Sequence, residues 1–232
     1  APCDAFGGPD RAHSSFTPMQ KAINYAMTSF FTTGGIRGQK KGMDKFYPRS
    51  FNMGVRREVY KALGGFSNMR FGEDIDFSTR IFKGGYRCRL FPEAWVYHKR
   101  RTDLRKFFKQ VHNSGIARIH LSRRHPGTHK LVHLLPAVFT LGVVFLLLSA
   151  VLLALFGHGC LSLTALSPLF LFSLLIGLDA TRSEHSLGVG CRAIAAAFVQ
   201  ILGYGSGYLR AWWQCRVLHS GEFEAFSDSF YQ

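Results

Sequence analysis

Residues 64–80 read GGFSNMRFGEDIDFSTR. Three acids stand close together in this stretch of an otherwise basic chain: Glu73, Asp74 and Asp76. The glycine pair at 64–65 predicts the left-handed end of a short helix over 56–63, and Gly72 predicts the start of another over 73–83. First-turn carboxylates face the positive end of the helix dipole and stay ionised. The acids are therefore candidates for chemistry, although they could also merely cap the helix, with Asp76 and Arg80 paired on its surface.

The acidic cluster belongs to a series of motifs with a definite order and spacing. The series is SFNMGVRREVY at 50–60, GGF at 64–66, FGEDIDFSTR at 71–80, GY at 85–86 and PEAWVYH at 92–98. It closely resembles the second half of the catalytic domain of glycosyltransferase family 2, over residues 48–102. The resemblance implies an α/β fold, the C-terminal half of a GT-A (Rossmann-like) domain. It also implies an inverting sugar transfer in which Asp74 is the general base, a role that requires hydrogen-bond reach and an ionised state.

The same resemblance indicates which residues contact substrates. Seven are candidates for substrate binding: Glu73, Phe51, Asn52, Gly54, His98, Arg100 and Arg101. The stretch 50–54 resembles the one that lines the acceptor and donor cleft in membrane-bound members such as cellulose synthases. There Asn52 could hydrogen-bond a sugar hydroxyl, and Gly54 would let backbone approach the sugar. The alternative for Asn52 is an ordinary buried strand that enters a helix.

A GT-A enzyme binds its nucleotide through an N-terminal βαβ half and holds a divalent metal, Mg or Mn, with an Asp-x-Asp motif. The resemblance therefore implies a divalent metal, with its motif expected upstream of Ala1, because the acids at 74 and 76 lie inside the predicted helix. In some GT-A enzymes a late histidine reaches the metal or the diphosphate, which makes His98 a possible ligand. The alternative is that His98 only ends a strand at the membrane surface. We expect this chain to be the C-terminal portion of a longer protein and to be inactive alone.

Two segments precede the matched region. Thr17 and Pro18 predict the start of a helix whose apolar residues recur at helical spacing over 19–31, and we expect that helix to pack on the sheet. The stretch 32–42 is rich in glycine and basic residues, but it has neither a Walker nor a dinucleotide pattern. A flexible loop is the preferred interpretation, and a phosphate cradle is the alternative.

Charge and apolarity are segregated along the chain. The net charge is +15 and 47% of the residues are hydrophobic. Residues 99–130 hold ten Lys or Arg and one acid, whereas the next stretch, 134–156, has 23 residues and no charge. At about 1.5 Å per residue that length crosses a bilayer core of roughly 30 Å. The abrupt change from charge to apolarity favours a membrane protein over a nucleic-acid-binding one.

Two further apolar segments follow, over 160–178 and 193–209. The first of them predicts a helical hairpin with 134–156, closed by a turn at 157–159. The second contains Gly203 and Gly207 at GxxxG spacing, which predicts close packing on a neighbouring helix. We expect this third segment to span the membrane, with a position in the interface as the alternative. The prediction is thus two to three transmembrane helices.

The basic segment 103–130 has one apolar and one basic helical face. The basic face includes Arg105, Lys106 and Lys109. Such a helix is expected to lie on anionic lipid headgroups, with the basic side and the catalytic region cytosolic. Residues 110–113 read QVHN and lack the Gln-x-x-Arg-Trp motif of processive synthases, which counts against a processive channel.

Together these observations predict four segments: a catalytic part at 1–102, the interfacial segment 103–130, the membrane helices within 131–213 and a tail at 214–232. The expected activity is transfer from a nucleotide-diphosphate sugar to a lipid-linked or glycan acceptor at the cytoplasmic membrane. The alternative is a non-catalytic membrane protein that recruits anionic lipid or a partner subunit, and a transporter is a weaker third. The five cysteines show no zinc or disulfide pattern.

Overall fold

The computed structural model describes residues 2–34 and 46–221. Within them the fold is mixed α/β and mostly helical. Its elements, in chain order, are β1 (Ala5–Gly7), β2 (Asp10–Arg11), α1 (Pro18–Thr28), α2 (Phe30–Thr33), β3 (Met53–Val55), α3 (Arg57–Ala62), α4 (Glu73–Lys83), β4 (Cys88–Leu90), β5 (Val96–Tyr97), α5 (Leu104–Arg124), α6 (Leu135–Leu155), α7 (Gly159–Glu184) and α8 (Leu187–Arg216). The predicted loop at 32–42, from residue 35 onward, and the predicted tail beyond residue 221 lie outside the described residues.

Two small sheets form the framework beneath the acidic cluster. Strand β1 lies at the centre of the first sheet, antiparallel to β3 and parallel to β4, so that Ala5 is opposite both Val55 and Cys88. Strands β2 and β5 pair in parallel as a second sheet. Helices α3 and α4 pack against β1 through a small apolar core that includes Val59 and Phe77. This core holds α4 firmly on the sheet.

Helix α4 begins and ends where the sequence predicts. It runs from Glu73 to Lys83, after Gly72 in the left-handed conformation with φ of 83°. A residue with a Cβ would be strained at this φ, so glycine is suited to the junction. Phe77 and Ile81 lie one turn apart and are fully buried. The apolar face of α4 is therefore buried in the core that it shares with β1 and α3.

Helix α1 starts as predicted but packs elsewhere. Thr17 caps it, with Gln20 completing a capping box. Its apolar face joins a core with α5, α7 and α8 instead of the sheet, so the prediction of sheet packing is wrong. The reason is a row of alanines on α8, including Ala193 and Ala197, which are fully buried and let α1 approach closely. The Tyr25 hydroxyl also donates a hydrogen bond to Asp179 of α7 over 2.5 Å.

Three helices of the described chain are long and apolar enough to cross a membrane: Leu131–Leu155, Gly159–Glu184 and Leu187–Arg216. Helices α6 and α7 form the expected hairpin, and Gly157 takes a φ of 80° in the turn between them. Most of their large apolar side chains are exposed, as for Phe145 and Phe170, whose side chains are 68% and 72% exposed. Such surfaces are typical of helices that face lipid.

Helices α5 and α8 run parallel and pack closely. A Cβ on Gly203 would meet Val111, and one on Gly207 would overlap the carbonyl oxygen of His112, so successive turns of the two helices stay in register. The predicted close packing at the GxxxG pair is confirmed, with α5 as the neighbour. The apolar face of α5 is consequently buried: Phe107 and Val111 are 0% and 4% exposed. The basic residues Arg105, Lys106 and Lys109 of α5 stay exposed.

Helix α8 crosses the hairpin near the end where α6 begins and α7 ends. Near its start, a Cβ on Gly190 would overlap the Thr181 side chain. Further along, the Phe198 ring lies 5.4 Å from that of Phe172, and Gly205 faces Pro136. Helix α8 therefore lies between α5 on one side and the first turns of α6 on the other.

Candidate active site

The three acids of the acidic cluster have different surroundings. Asp74 has a side chain that is 13% exposed. One of its carboxylate oxygens accepts a hydrogen bond from the Ile75 backbone N–H at 2.8 Å, and the other lies 3.4 Å from the Arg49 guanidinium. The contact with Arg49 is long, so a substrate hydroxyl can compete for that oxygen. Asp74 is thus a fixed carboxylate with one oxygen available to a ligand.

Glu73, beside it, is half-buried. Burial raises the pKa of Glu73, and the charge of Asp74 raises it further, while hydrogen bonds from backbone N–H groups and the charge of Arg49 act in the opposite direction. Glu73 therefore ionises less readily in the folded protein than a glutamate in water does.

Asp76 faces away from both, into the protein interior. It is 3% exposed, and it contacts Arg80 at 2.9 Å and His125 at 2.7 Å. Burial alone would raise the pKa of Asp76, but the hydrogen bond from His125 and the charge and hydrogen bond of Arg80 bring it below its usual range. The Asp76 and Arg80 pair exists as the helix-cap interpretation expected, but it is buried and not on the surface.

The segment 49–54 connects Asp74 to His98. Arg49 contacts Asp74. Two residues later in the chain, the Phe51 ring stacks on the imidazole of His98, with the ring centroids 4.0 Å apart. The Asn52 amide donates a hydrogen bond to the Ala94 carbonyl at 2.8 Å. Phe51 is 42% exposed, so this stacked pair forms an open aromatic surface beside the acidic cluster. The segment 49–54 thus links Asp74, through Arg49, to the Phe51 and His98 pair.

The contacts of Gly54 and Arg100 indicate structural roles. A Cβ on Gly54 would collide with the Phe6 ring. The group that closely approaches this glycine is therefore the Phe6 side chain, whereas the prediction was a sugar. The Arg100 guanidinium is buried, pairs with Asp10 at 2.6 Å and donates to the Asn24 side chain at 2.9 Å. These contacts join strand β2 to helix α1. The expectation that Arg100 binds substrate remains a prediction, since Arg100 also borders the cavity described next.

Arg101 borders a small basic cavity. The cavity has a volume of about 120 Å³ and is lined by Met27, His98, Lys99, Arg100, Arg101 and Gln110. Within it the Arg101 side chain donates a hydrogen bond to Gln110 at 3.2 Å. Cationic groups around a cavity of this kind suit a phosphate or another anion. His98 contributes to both the aromatic surface and this cavity, so it joins the two parts of the site.

The divalent metal that the motif series implies remains a prediction. Within 2–34 and 46–221, no three His, Cys, Asp or Glu side chains are grouped closely enough to hold one. The role of His98 at a metal therefore also remains a prediction.

Sequence analysis did not identify Arg49 or His125. Arg49 directly precedes the 50–60 motif, so its position was the available signal. His125 lies 49 residues beyond Asp76 and carries no local signal. Its contact depends on how the end of α5 meets α4.

The fold and site define a class: a small α/β unit with clustered carboxylates, attached to helices apolar enough for a membrane. The family model described as "Glycosyl transferase family group 2" matches residues 39–178, more than half of the chain. The chain therefore belongs to this glycosyltransferase family, as the motif series predicted.

Among curated proteins, the chain is similar to the pre-mycofactocin glycosyltransferases of two Mycobacterium tuberculosis strains, CDC 1551 / Oshkosh and ATCC 25618 / H37Rv. Identity is 36% over 72 residues, which is 31% of this chain. The aligned stretch spans only 15% of each relative. No solved structure matches the chain significantly.

Proposed function

We propose that this chain is the acceptor-side part of a membrane-bound, inverting glycosyltransferase with a GT-A catalytic domain. The donor is a nucleotide-diphosphate sugar, and the acceptor is a lipid-linked or glycan hydroxyl, as in the synthesis of cell-envelope polysaccharide or glycoconjugates. The observation that carries the proposal is the Asp74 carboxylate, held by the Ile75 N–H and reachable past a long contact with Arg49. Family membership supports the same assignment.

In this reaction Asp74 accepts the proton of the acceptor hydroxyl while the oxygen attacks the anomeric carbon. The bond from that carbon to the diphosphate breaks, and the nucleoside diphosphate leaves with the electron pair. Attack from the face opposite the leaving group inverts the anomeric configuration.

Two other parts of the site suit the substrates. The exposed ring of Phe51, stacked on His98, offers an apolar face to a sugar ring, and Glu73 and Asn52 stand beside it. The basic cavity next to His98 and Arg101 suits a phosphate of the donor or of a lipid-linked acceptor. A divalent metal, Mg or Mn, would be held by residues outside the described part of the chain and would neutralise charge on the leaving diphosphate.

For the membrane we propose that α6 and α7 span and that α8 lies in the interface beside α5. Helix α5 is parallel to α8 and presents Arg105, Lys106 and Lys109 to solvent, and a spanning α8 would carry those charges into the bilayer core. Two exposed tryptophans near the end of α8, Trp212 and Trp213, suit the headgroup region. The basic segment then lies against anionic lipid on the cytosolic side of the cytoplasmic membrane.

The alternative of a non-catalytic lipid-recruiting protein is less well supported. Such a protein inserts the apolar face of its amphipathic helix into lipid. Here Phe107 and Val111 on that face are buried against other helices of the chain. Only the basic face of α5 then remains to attract anionic lipid, and this attraction would be an addition to catalysis.

The test is Asp74→Asn in the full-length protein, because asparagine keeps the shape but cannot accept the proton. Turnover is expected to fall by about 10² to 10⁴ while folding and donor binding persist. Glu58→Gln is the matched control, since Glu58 is an exposed carboxylate in the first turn of α3. If Asp74 only caps its helix, both variants should lose about 0.3–1 kcal/mol of stability and keep their rate. A near-native rate for Asp74→Asn would refute the base assignment.

A further inference from the structure

We propose that His125 is a positioning residue for the catalytic helix: through Asp76 it holds the first turn of α4 on the end of α5 and so orients Asp74. The proposal rests on the proposed function, because it concerns how the general base is held. His125 is the C-terminal cap residue of α5, and it is 7% exposed. Its imidazole Nε2 lies 2.7 Å from the Asp76 carboxylate.

The direction of this hydrogen bond follows from the other ring nitrogen. The Lys83 ammonium lies 3.3 Å from Nδ1 of His125. An ammonium group has donors only, so Nδ1 accepts and Nε2 carries the proton that is donated to Asp76. His125 is thereby bonded to residues in both the first and the last turn of α4.

Asp76 also connects α4 to the loop before it. Its second carboxylate oxygen accepts from Arg80 at 2.9 Å. The Arg80 guanidinium in turn donates to the carbonyl oxygens of Leu63 at 2.6 Å and Gly65 at 2.7 Å. Every one of these groups is protein, and the Asp76 side chain is 4% exposed, so this network is separate from the open surface at Asp74.

A second contact fixes the same turn. A Cβ on Gly72 would lie 3.2 Å from the Leu121 side chain and 3.5 Å from that of Ala117, both on α5. Asp74 is two residues from Gly72 and two from Asp76, and both of those positions rest on α5. At about 100° per residue, Asp74 points roughly 200° away from Asp76. A rotation of α4 that breaks the contact with His125 therefore swings Asp74 away from Arg49.

The consequence is that the membrane-side helices set the geometry of the general base. Helix α5 packs along α8, and α8 packs on the hairpin. The position that the hairpin takes in a bilayer therefore affects the position of α4 through His125. Loss of this contact should lower the turnover number more than the apparent affinity for the donor.

The test compares two conservative variants of His125 in the full-length enzyme. Glutamine places an amide nitrogen where Nε2 lies, whereas asparagine is too short to reach Asp76. We expect kcat of His125→Asn to fall roughly 10- to 100-fold, as for small misplacements of a catalytic group, with the donor KM within about two-fold of the wild-type value. His125→Gln should restore most of that loss. His158→Ala, at the exposed hairpin turn, is the control.

Two outcomes of the activity measurement would overturn the inference. One is an unchanged kcat per folded molecule for His125→Asn, and the other is an equal loss in the asparagine and glutamine variants. Thermal unfolding of His125→Asn, Asp76→Asn and the double variant tests the contact without reference to activity, because coupled residues give non-additive shifts. Non-additive shifts together with an unaffected Asp74→Asn rate would mean that the proposed function had failed and the contact had not. Additive shifts would refute the contact itself.

Discussion

At the scale of single residues, three acids in one helical turn have three different environments. Asp74 faces Arg49, Glu73 is half-buried next to it, and Asp76 is enclosed by Arg80 and His125. Their spacing in the sequence places them on different sides of α4, but it does not say which side is open. Asp76→Asn is consequently a poor control for Asp74→Asn, because it disrupts a buried network.

The environment of Glu73 leads to a prediction about pH. Because the pKa of Glu73 is raised in the folded protein, the stability associated with it is fully present below the pKa of an unfolded glutamate, about 4.3, and is lost as the pH rises through the folded value. Glu73→Gln stays neutral and avoids this loss. We expect the melting temperature of Glu73→Gln in detergent, taken relative to that of the wild type, to increase between pH 4 and pH 8. The same measurement on Glu58→Gln is the control. A melting temperature of Glu73→Gln that falls relative to that of the wild type as the pH rises would contradict the prediction.

At the scale of elements, glycines allow the contact between α5 and α8. A Cβ on Gly115 would overlap the carbonyl oxygen of Tyr204, and one on Gly207 would overlap that of His112. In both cases the obstacle is backbone, which cannot rotate away. The spacing of Gly203 and Gly207 predicted such a contact, whereas Gly115 on the partner helix had no recognisable signal.

Gly115→Ala and Gly207→Ala should therefore each cost about 1–3 kcal/mol of stability, because overpacking forces the helices apart. Gly142→Ala is the matched control, since a Cβ at Gly142 meets nothing within 4 Å and alanine favours a helix. Thermal unfolding of the purified protein in detergent measures the difference. Equal stability of the three variants would show that α5 and α8 are not in close contact.

At the scale of the whole molecule, α8 connects the catalytic part to the hairpin. Its glycines at 203 and 207 face α5, and Gly205 faces Pro136 at the start of α6. Helix α1 packs on it as well, through the core shared with α7. Helix α8 therefore links α5 to the hairpin.

Three cysteines report the membrane arrangement. Cys160 lies at the hairpin turn, and Cys191 and Cys215 lie near the two ends of α8. In variants that keep one of these three, a membrane-impermeant maleimide should label Cys160 from outside sealed cells. Cys191 and Cys215 should react only in inverted vesicles, because an interfacial α8 keeps both ends on the cytosolic side. Labelling of Cys215 from the same side as Cys160 would mean that α8 spans, as the sequence analysis expected.

How much the sequence predicted depended on how local each feature is. The bounds of α4, the turn at Gly157 and the cap at Thr17 follow from neighbouring residues, and all were predicted. The packing of α1 was predicted wrongly, because an apolar stripe shows that a helix face is buried but not what covers it. The pair of Arg100 and Asp10 was not predicted, because the two residues stand ninety positions apart in the chain.

The sequence by itself determined the family, the acidic helix and the hairpin. Each rests on a motif, a cap or a run of apolar residues, whose physical effect is exerted within a few turns of chain. Only the tertiary structure decided which acid faces the open site, that α8 lies along α5, and that His125 holds Asp76. These features depend on the burial and direction of side chains brought together from distant positions, which no local pattern specifies.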